Sequence, residues 1–312
     1  MKLLPLLFIL ALVSADARAQ REAPPTAVPG TRISLVPPSG FVPADRFAGF
    51  LQEEKGASIM IMEIPGPYSQ VSAGFADSAK LAARGIVLAS REDRAVNGFK
   101  GMLVRMEQSA HEIDYLKWAL VFGDETESVM VTATFPRELD AELSEKMRRS
   151  VLSSRWSRSK PVPPTEGVKF SVRESGDMRF AGRMAGALAY TRKGIFPNPS
   201  IYDPLFLVAQ SFSKSAIADY KGFAQARILA TVDVAGIRIE ETTPLEIDGL
   251  GGYETIAIGK DRDSGEPMLL YQTILFDDGA YYIMHASVGA EEREAYTTTF
   301  REMARSFART EK

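Results

Sequence analysis

The sequence contains no cysteine. Disulfide bonds, thiol nucleophiles and metal centres with thiolate ligands are therefore excluded. The folded state must be stabilised by its apolar core alone. A content of 45% hydrophobic and 25% charged residues is ordinary for a globular protein, and 312 residues are enough for more than one domain.

Histidine is almost as scarce, since only His111 and His285 occur. A Ser-His-Asp site needs a histidine within hydrogen-bond reach of a nucleophile and a carboxylate. His111 falls at the tip of a predicted hairpin beside Glu112. His285 alternates with Met284 and Ala286, which places it opposite the predicted core face. No three or four potential metal ligands converge in the sequence. We therefore expect no enzymatic activity, no metal and no cofactor.

Only one apolar run is long, and it lies at the start of the sequence. Residues 3–13 are apolar and follow Lys2, and Ala17 and Ala19 flank Arg18 shortly afterwards. This pattern is typical of a cleavable signal peptide, and the run is about half of the roughly 20 residues that span a membrane. We predict a signal peptide at 1–19, export to the periplasm, and no transmembrane segment after its removal. A net charge of −3 does not favour nucleic-acid binding.

Two segments resemble ligand-binding motifs but lack a required residue. Residues 249–252 begin like a dinucleotide fingerprint, yet Glu254 stands where the third glycine belongs, and a strand follows instead of a helix. Residues 261–265 begin like a calcium loop, yet Gly265 comes one position early and Gln272 replaces the chelating glutamate. Both segments are interpreted as hairpin turns.

The most informative feature is a repeat. The sequence Arg-Phe-Ala-Gly at residues 46–49 returns at residues 179–182. Further on, three glycine positions recur at one constant offset: Gly85 with Gly236, Gly98 with Gly249, and Gly101 with Gly252. The chain is therefore interpreted as a tandem duplication of one domain. The second copy has an insertion at 184–203 that adds a strand around 187–190. In both copies we expect the repeated sequence to form the turn into a central strand.

Each copy predicts the same order of elements. Short alternating strands joined by tight turns pair antiparallel, and amphipathic segments predict helices that cover both sheet faces. The predicted helices span residues 69–84 and 139–153 in the first copy, and 214–235 and 291–309 in the second. The predicted fold class is α+β, with two tandem α/β/α sandwich domains. The predicted limits are a flexible N-terminal segment at 20–30, a first domain at 31–156, a linker at 157–166 and a second domain at 167–312.

This pattern resembles the PsbP/Mog-like superfamily, which includes the PsbP subunit of photosystem II and bacterial periplasmic DcrB-like proteins. The residues that carry the resemblance are Pro37 to Phe41, Phe47, Gly49, the strand at 58–64, the turn at Gly98, and Ser154 to Trp156. The resemblance implies antiparallel sheets covered by helices and a role in binding or assembly without catalysis. It implies no particular site residues.

Two groups of residues are candidates for binding. Arginine next to phenylalanine on a loop is a composition found at binding hot spots, which indicates Arg46, Phe47, Arg179 and Phe180. Because both copies contain them, a structural role is the favoured interpretation. A basic run near the end of the first domain contains Arg148, Arg149 and Arg155, followed by Arg158 and Lys160. It suits either a helix C-terminus or a patch for anionic partners.

The sequence thus supports three functional hypotheses. The first is a periplasmic, non-enzymatic protein that binds an envelope protein or a small ligand, or assists assembly or stress protection, through the groove between its domains or through a sheet edge. The second is a periplasmic hydrolase with its site at the domain interface. The third is a carrier of an apolar ligand between a sheet and a displaced helix. In each case we expect a monomer.

Overall fold

The computed structural model describes residues 24–82, 85–110, 113–184, 186–196, 198–212 and 214–310. The predicted signal peptide lies outside these residues. Two seven-stranded antiparallel sheets form the centres of two consecutive domains, so the predicted tandem α+β architecture is confirmed. Among the described helices, none has both the length and the hydropathy needed to cross a membrane.

The described residues of the first domain form ten strands and three α-helices. Its strands are β1 (Thr26–Ala27), β2 (Ile33–Leu35), β3 (Val42–Pro43), β4 (Gly49–Gln52), β5 (Ala57–Pro65), β6 (Ile86–Val96), β7 (Phe99–Ala110), β8 (Ile113–Gly123), β9 (Glu127–Pro136) and β10 (Arg155–Trp156). Its helices are α1 (Tyr68–Ala73), α2 (Ser78–Ala82) and α3 (Asp140–Leu152). The order in the large sheet is β3-β4-β5-β9-β8-β7-β6, and β1, β2 and β10 form a small separate sheet.

The second domain repeats this plan. Its strands are β11 (Phe170–Ser171), β12 (Met178–Met184), β13 (Ala187–Arg192), β14 (Leu205–Gln210), β15 (Val234–Ile247), β16 (Leu250–Asp261), β17 (Pro267–Asp277), β18 (Ala280–Gly289) and β19 (Ala308–Arg309). Its helices are α4 (Tyr220–Leu229) and α5 (Arg293–Arg305). The large sheet runs β12-β13-β14-β18-β17-β16-β15, which is the order of the first sheet, and β11 pairs with β19. The shared order supports the duplication inferred from the sequence.

Helices cover both faces of each sheet because the central strands are apolar on both sides. Burial alternates along β9 and β18, and the fully buried side chains point toward α3 and α5 respectively. Each helix packs against these side chains with apolar residues one turn apart, which are Leu143 and Met147 in α3 and Tyr296 and Phe300 in α5. On the opposite faces, α1 and α4 pack against smaller apolar clusters.

Three predicted helices are longer than the observed ones. The first splits into α1 and α2, because i→i+3 bonds replace the helical pattern on both sides of Gly74. The predicted helix at 214–235 shrinks to α4. The Asp219 side chain caps its start, and left-handed backbone at Asp233 lies beyond its end. The last helix ends at Arg305 because the following residues pair as β19 with β11.

The repeated Arg-Phe-Ala-Gly sequence occupies different places in the two domains. Residues 46–49 lead into β4, whereas residues 179–182 lie inside β12, the outermost strand. Since β4 and β13 hold the same position in their sheets, the two copies of the sequence are not equivalent. The expectation of one shared turn is therefore wrong. For the same reason β13 is the counterpart of β4 rather than an added strand, and the extra residues form the loop between β13 and β14.

The predicted N-terminal segment and the predicted linker both make backbone hydrogen bonds to the first domain. Thr26 and Ala27 pair with β2, and Val28 is fully buried. Residues 24–30 thus differ from the flexible segment that their proline content predicts, because Val28 supplies an apolar anchor. In the predicted linker, the Ser157 N–H donates to the carbonyl of Arg32. Both segments lie where the two domains meet.

Candidate interdomain binding site

One set of contacts between the domains involves the first Arg-Phe-Ala-Gly sequence. Nη1 of Arg46 donates to the backbone oxygen and to Oγ of Ser211, each at 3.4 Å. The ring of Phe47 meets the ring of Phe212 edge to face, with centroids 6.2 Å apart. Two sequence candidates, Arg46 and Phe47, are therefore half-buried contacts between the domains in this structure rather than an exposed loop.

A second set of contacts joins the N-terminal segment to the second domain. The Gly30 N–H donates to Oε1 of Glu166 at 3.2 Å, and Nη1 of Arg183 donates to the backbone oxygen of Glu166 at 2.6 Å. Gly30 has a φ of +73°, and a Cβ there would lie 2.5 Å from the Glu166 oxygen and 2.6 Å from Arg183 Nη1. Only glycine permits this close approach.

A cavity of about 400 Å³ lies beside these contacts, between the two domains. Residues of both domains and of the predicted linker line it. Its charged residues are Arg32, Glu63, Glu127, Arg158, Lys160 and Arg183, and its apolar residues include Ile64, Pro65, Val162, Pro164, Phe180 and Phe196. The cavity therefore combines a charged wall with an apolar wall, which is the usual make-up of a ligand site.

The charged wall is organised around Arg32. Its Nε donates to Oε1 of Glu63 at 2.7 Å, and its Nη2 donates to Oε1 of Glu127 at 3.1 Å. Burial disfavours the charge of the guanidinium, but the bonds to Glu127 and Glu63 outweigh it and raise the pKa of Arg32. Trp156 underlies this network, because its indole N–H donates to Glu63 and Arg158 lies 5.0 Å over its ring.

The other cations of the cavity have weaker partners. Arg158 pairs with Glu127 at 3.1 Å and with Asp124. Lys160, in contrast, donates to the backbone oxygen of Thr31 at 3.2 Å, and its nearest carboxylate oxygen, on Glu166, is 3.8 Å away. The carboxylates around the cavity therefore compensate the charges of Arg32 and Arg158 more than the charge of Lys160.

Arg183 is the least compensated of the four cations. Burial lowers the pKa of its guanidinium, and the charges of Glu166 and Glu63 offset only part of that effect. Within the described residues, its one hydrogen bond is to the Glu166 carbonyl. An arginine keeps its proton at neutral pH. The guanidinium thus brings positive charge and unused N–H donors to the cavity wall.

The apolar wall is shaped by an irregularity in β12. The pairing of β12 with β13 shifts register between Phe180 and Gly182, so Ala181 is an extra residue. Such bulges turn side chains away from the regular alternation of a strand. Residues 180–183 line the cavity, and Phe180 also packs edge to face against Tyr190 in the core. Phe180 is the sequence candidate that the structure places in the site.

The remaining sequence candidates lie outside the cavity. Arg179 faces Glu174 at 3.5 Å and donates to neighbouring carbonyls. Arg148 lies 5.9 Å over the ring of Trp118, and the exposed Arg149 is 3.8 Å from Glu145. Arg155 borders a separate polar cavity near the end of α3. The basic run is thus divided, and only its later members, Arg158 and Lys160, reach the interdomain cavity.

Most residues of the cavity have no sequence signal of their own. Arg32, Glu63 and Glu127 are single charged residues on three different strands or loops, and only the fold brings them together. Arg183 directly follows the second Arg-Phe-Ala-Gly sequence, and this position is the feature of the sequence that could have indicated Arg183 as a site residue. Among the described residues, no group of three or more His, Asp or Glu side chains could hold a metal ion.

The two histidines do not contribute to the cavity. His111 lies outside the described residues. His285 lies in β18, on the sheet face that α4 covers, and burial there lowers its pKa to about 4, with a smaller effect from the charge of Arg227. Its imidazole is therefore neutral at physiological pH. The sequence correctly placed His285 opposite the main core face.

No protein-family profile matches the chain, and no curated protein sequence matches it. Similar solved structures include LpqN, involved in cell envelope biogenesis of Mycobacterium tuberculosis, at 12% identity and a TM-score of 0.34, over 45% of this chain and 82% of LpqN. Cyanobacterial PsbP from Synechocystis sp. PCC 6803 is similar at 14% identity and a TM-score of 0.31, over 40% of this chain and 87% of that protein.

Some of the similar structures extend over both domains, as the following one does. It is the immunity protein TplEi of T6SS from Pseudomonas aeruginosa, complexed with "L" peptide, at 13% identity and a TM-score of 0.29, over 87% of this chain and 99% of TplEi. At these identities the likeness concerns the fold alone.

Proposed function

We propose that the protein is an exported, non-enzymatic binding protein of the cell envelope, and that the cavity between its domains receives a segment of a partner protein. The observation that carries this proposal is the composition of the cavity. It has four cations, two carboxylates and an apolar wall, and both domains contribute to it. A site divided between two duplicated domains requires both of them, which gives the tandem arrangement a role.

Export is part of the proposal because of the N-terminal pattern. Lys2, the apolar run at 3–13 and the small residues Ala17 and Ala19 have the order of a signal peptide. The absence of cysteine from the sequence suits any compartment. The predicted mature chain would therefore meet its partner in the periplasm.

A hydrolase at the domain interface is the competing function, and Glu63 and Glu127 are the observation that favours it. Paired carboxylates in a cavity are the equipment of glycosidases. Both of these carboxylates, however, accept hydrogen bonds from the same guanidinium, that of Arg32. A general acid usually stands in apolar surroundings instead. None of the described residues that line the cavity is Ser, Thr or His. Binding is therefore the better-supported function.

The test compares two variants with the same change of charge. The predicted mature chain is cross-linked in envelope extract as wild type, as the cavity variant R158Q/K160Q, and as the control R149Q/R155Q, whose residues lie outside the cavity. We expect wild type and control to capture the same protein, and the cavity variant to capture at least fivefold less, with the thermal unfolding of all three first shown to be similar.

Two results would overturn the proposal. One is equal capture by all three proteins, or a loss in the control alone, which would move the binding surface to α3. The other is turnover of an ester or glycoside substrate that the variant E63Q abolishes, because this would make the cavity a catalytic site.

A further inference from the structure

We infer that Arg183 and Lys160 form a subsite for a free carboxylate whose attached group is apolar and lies against Phe180 and Phe196. This inference rests on the proposed function and specifies its chemistry. The same carboxylate could be the C-terminus of a partner protein or part of a small organic acid. The two sources share the chemistry and differ in what extends beyond the apolar group.

The distribution of charge locates the anion. Glu63 and Glu127 both contact Arg32, and Glu127 also contacts Arg158, so these four residues largely compensate one another. In contrast, Lys160 and Arg183 donate to backbone oxygens, at 3.2 Å and 2.6 Å respectively. The Glu166 carboxylate lies 3.8 Å from the Lys160 nitrogen, acts on Arg183 more strongly than Glu63 does, and also accepts the Gly30 N–H. The two cations thus share Glu166, and Glu63, the second carboxylate whose charge acts on Arg183, is already bonded to Arg32, which leaves an excess of positive charge.

The shape of the donor group favours a carboxylate. A guanidinium carries five N–H donors in a planar fork that matches the two oxygens of a carboxylate. The hydrogen bond of Arg183 to the Glu166 carbonyl uses one of these donors and fixes the plane of the group. Gly30 packs against the same guanidinium, since a Cβ at Gly30 would come within 2.7 Å of both terminal nitrogens. The side chain is therefore held in place before a ligand arrives.

The neighbouring apolar wall distinguishes this ligand from inorganic phosphate. Phe180 and Phe196 line the cavity together with Arg183, and the Phe196 ring lies 3.8 Å from the position of a Cβ at Gly182, the residue before Arg183. A cavity of about 400 Å³ can hold one large side chain together with its carboxylate. Burying an apolar group against these rings contributes binding energy that phosphate cannot obtain.

Titration of the full mature chain with small probes tests the inference. The probes are N-acetyl-L-phenylalanine and its amide, which differ only in the charge of the terminal group. The two tryptophan indole N–H signals in a ¹H–¹⁵N NMR spectrum are the readout. Trp156 donates to Glu63 in the cavity wall, whereas Trp118 donates to Ser144 beneath α3 and serves as an internal reference.

We expect the acid to shift the Trp156 signal with saturation, to leave Trp118 unchanged, and to bind at least tenfold more tightly than the amide. R183Q should weaken the acid at least tenfold, K160Q should weaken it less, and R149Q should have no effect. Because the Lys160 side chain is partly exposed, K160Q provides an answer even if R183Q does not fold. Equal binding of acid and amide, or unchanged binding by both cavity variants, would refute the inference.

Further probes identify the source of the carboxylate and separate this inference from the proposed function. Tighter binding of acetyl-Ala-Ala-Phe than of 3-phenylpropionate supports a protein C-terminus, and the reverse order supports an organic acid. Inorganic phosphate that displaces the acid at equal concentration would contradict the apolar subsite. If R158Q/K160Q loses partner capture but no carboxylate binds, only this inference fails. If carboxylates bind but no partner is captured, the proposed protein partner fails.

Discussion

The two Arg-Phe-Ala-Gly sequences should respond differently to the same substitution, because only the first lies between the domains. Phe47 contacts Phe212 of the second domain, whereas Phe180 contacts Tyr190 within its own domain. F47A should therefore weaken the coupling of the two domains, and F180A should weaken the second domain alone. Comparison of the two variants tests whether only the first copy of the sequence couples the domains.

The size of the effect follows from the geometry of the rings. Phe47 and Phe212 meet at 89° with their centroids 6.2 Å apart, an edge-to-face pair. Such pairs contribute about 0.5–1.5 kcal/mol beyond the burial of their area. Phe212 is 48% exposed, which points to the lower half of that range. We expect a coupling free energy of about 0.5–1 kcal/mol between Phe47 and Phe212 in a double-mutant cycle.

The assay exploits the position of the two tryptophans. Trp118 and Trp156 are the only tryptophans and both belong to the first domain, so fluorescence in a urea titration reports on that domain, while circular dichroism reports on both. With Phe47 present, F212A should lower the fluorescence midpoint although Phe212 lies in the other domain. In the F47A background, the same substitution should change the midpoint much less.

A coupling below about 0.3 kcal/mol is within the error of additivity and would refute the contact between the domains. The pair Phe180 and Tyr190 is the matched control, since its geometry is similar and both rings lie in one domain. Y190F leaves that ring pair in place. F180A, in contrast, should lower the urea midpoint of the second domain, seen by circular dichroism, and leave the fluorescence midpoint of the first domain unchanged. A shift of the fluorescence midpoint by F180A would show that the domains do not unfold as separate units.

Three further predictions concern the second domain. E254Q should lower its free energy of unfolding by about 2–3 kcal/mol, measured by urea titration, because Glu254 is 8% exposed and accepts bonds from Tyr271 and Arg301 at 2.8 Å each. The folded state lowers the pKa of His285 from 6.5 to about 4, so stability is full above pH 6.5 and falls by about 3 kcal/mol toward pH 4; H285Q should remove that part of the pH dependence. D219A should cost about 1 kcal/mol of stability in thermal unfolding, because the Asp219 carboxylate caps the first turn of α4.

Strand pairing and the main helices follow from local patterns, and most of them were predictable. The alternation along β9 and β18 and the one-turn spacing in α3 and α5 are properties of adjacent residues. The ends of helices were less predictable. The last helix was predicted to continue through residue 309. It ends earlier because residues 308–309 pair as a strand with β11, which is far away in the sequence.

The candidate site shows the same division. Arg46 and Phe47 were selected because they recur at 179–180, but recurrence of four letters does not define equivalent positions. The register of β4 against β5, and of β13 against β14, decides equivalence, and it assigns the two copies to different strands. Phe180 reaches the cavity because of a bulge that depends on its pairing with β13.

The sequence alone determined that thiol chemistry is impossible, that the chain contains two related antiparallel domains, and how most strands alternate. These properties depend on composition and on neighbours a few residues apart. The tertiary structure alone decided which charged residues meet. Arg32, Glu63, Glu127 and Arg183 have no common motif, and they form one cavity only because the N-terminal segment, the linker and β12 pack together. Contacts between residues far apart in the sequence leave no periodic pattern in it, and for that reason these contacts could not be predicted from the sequence.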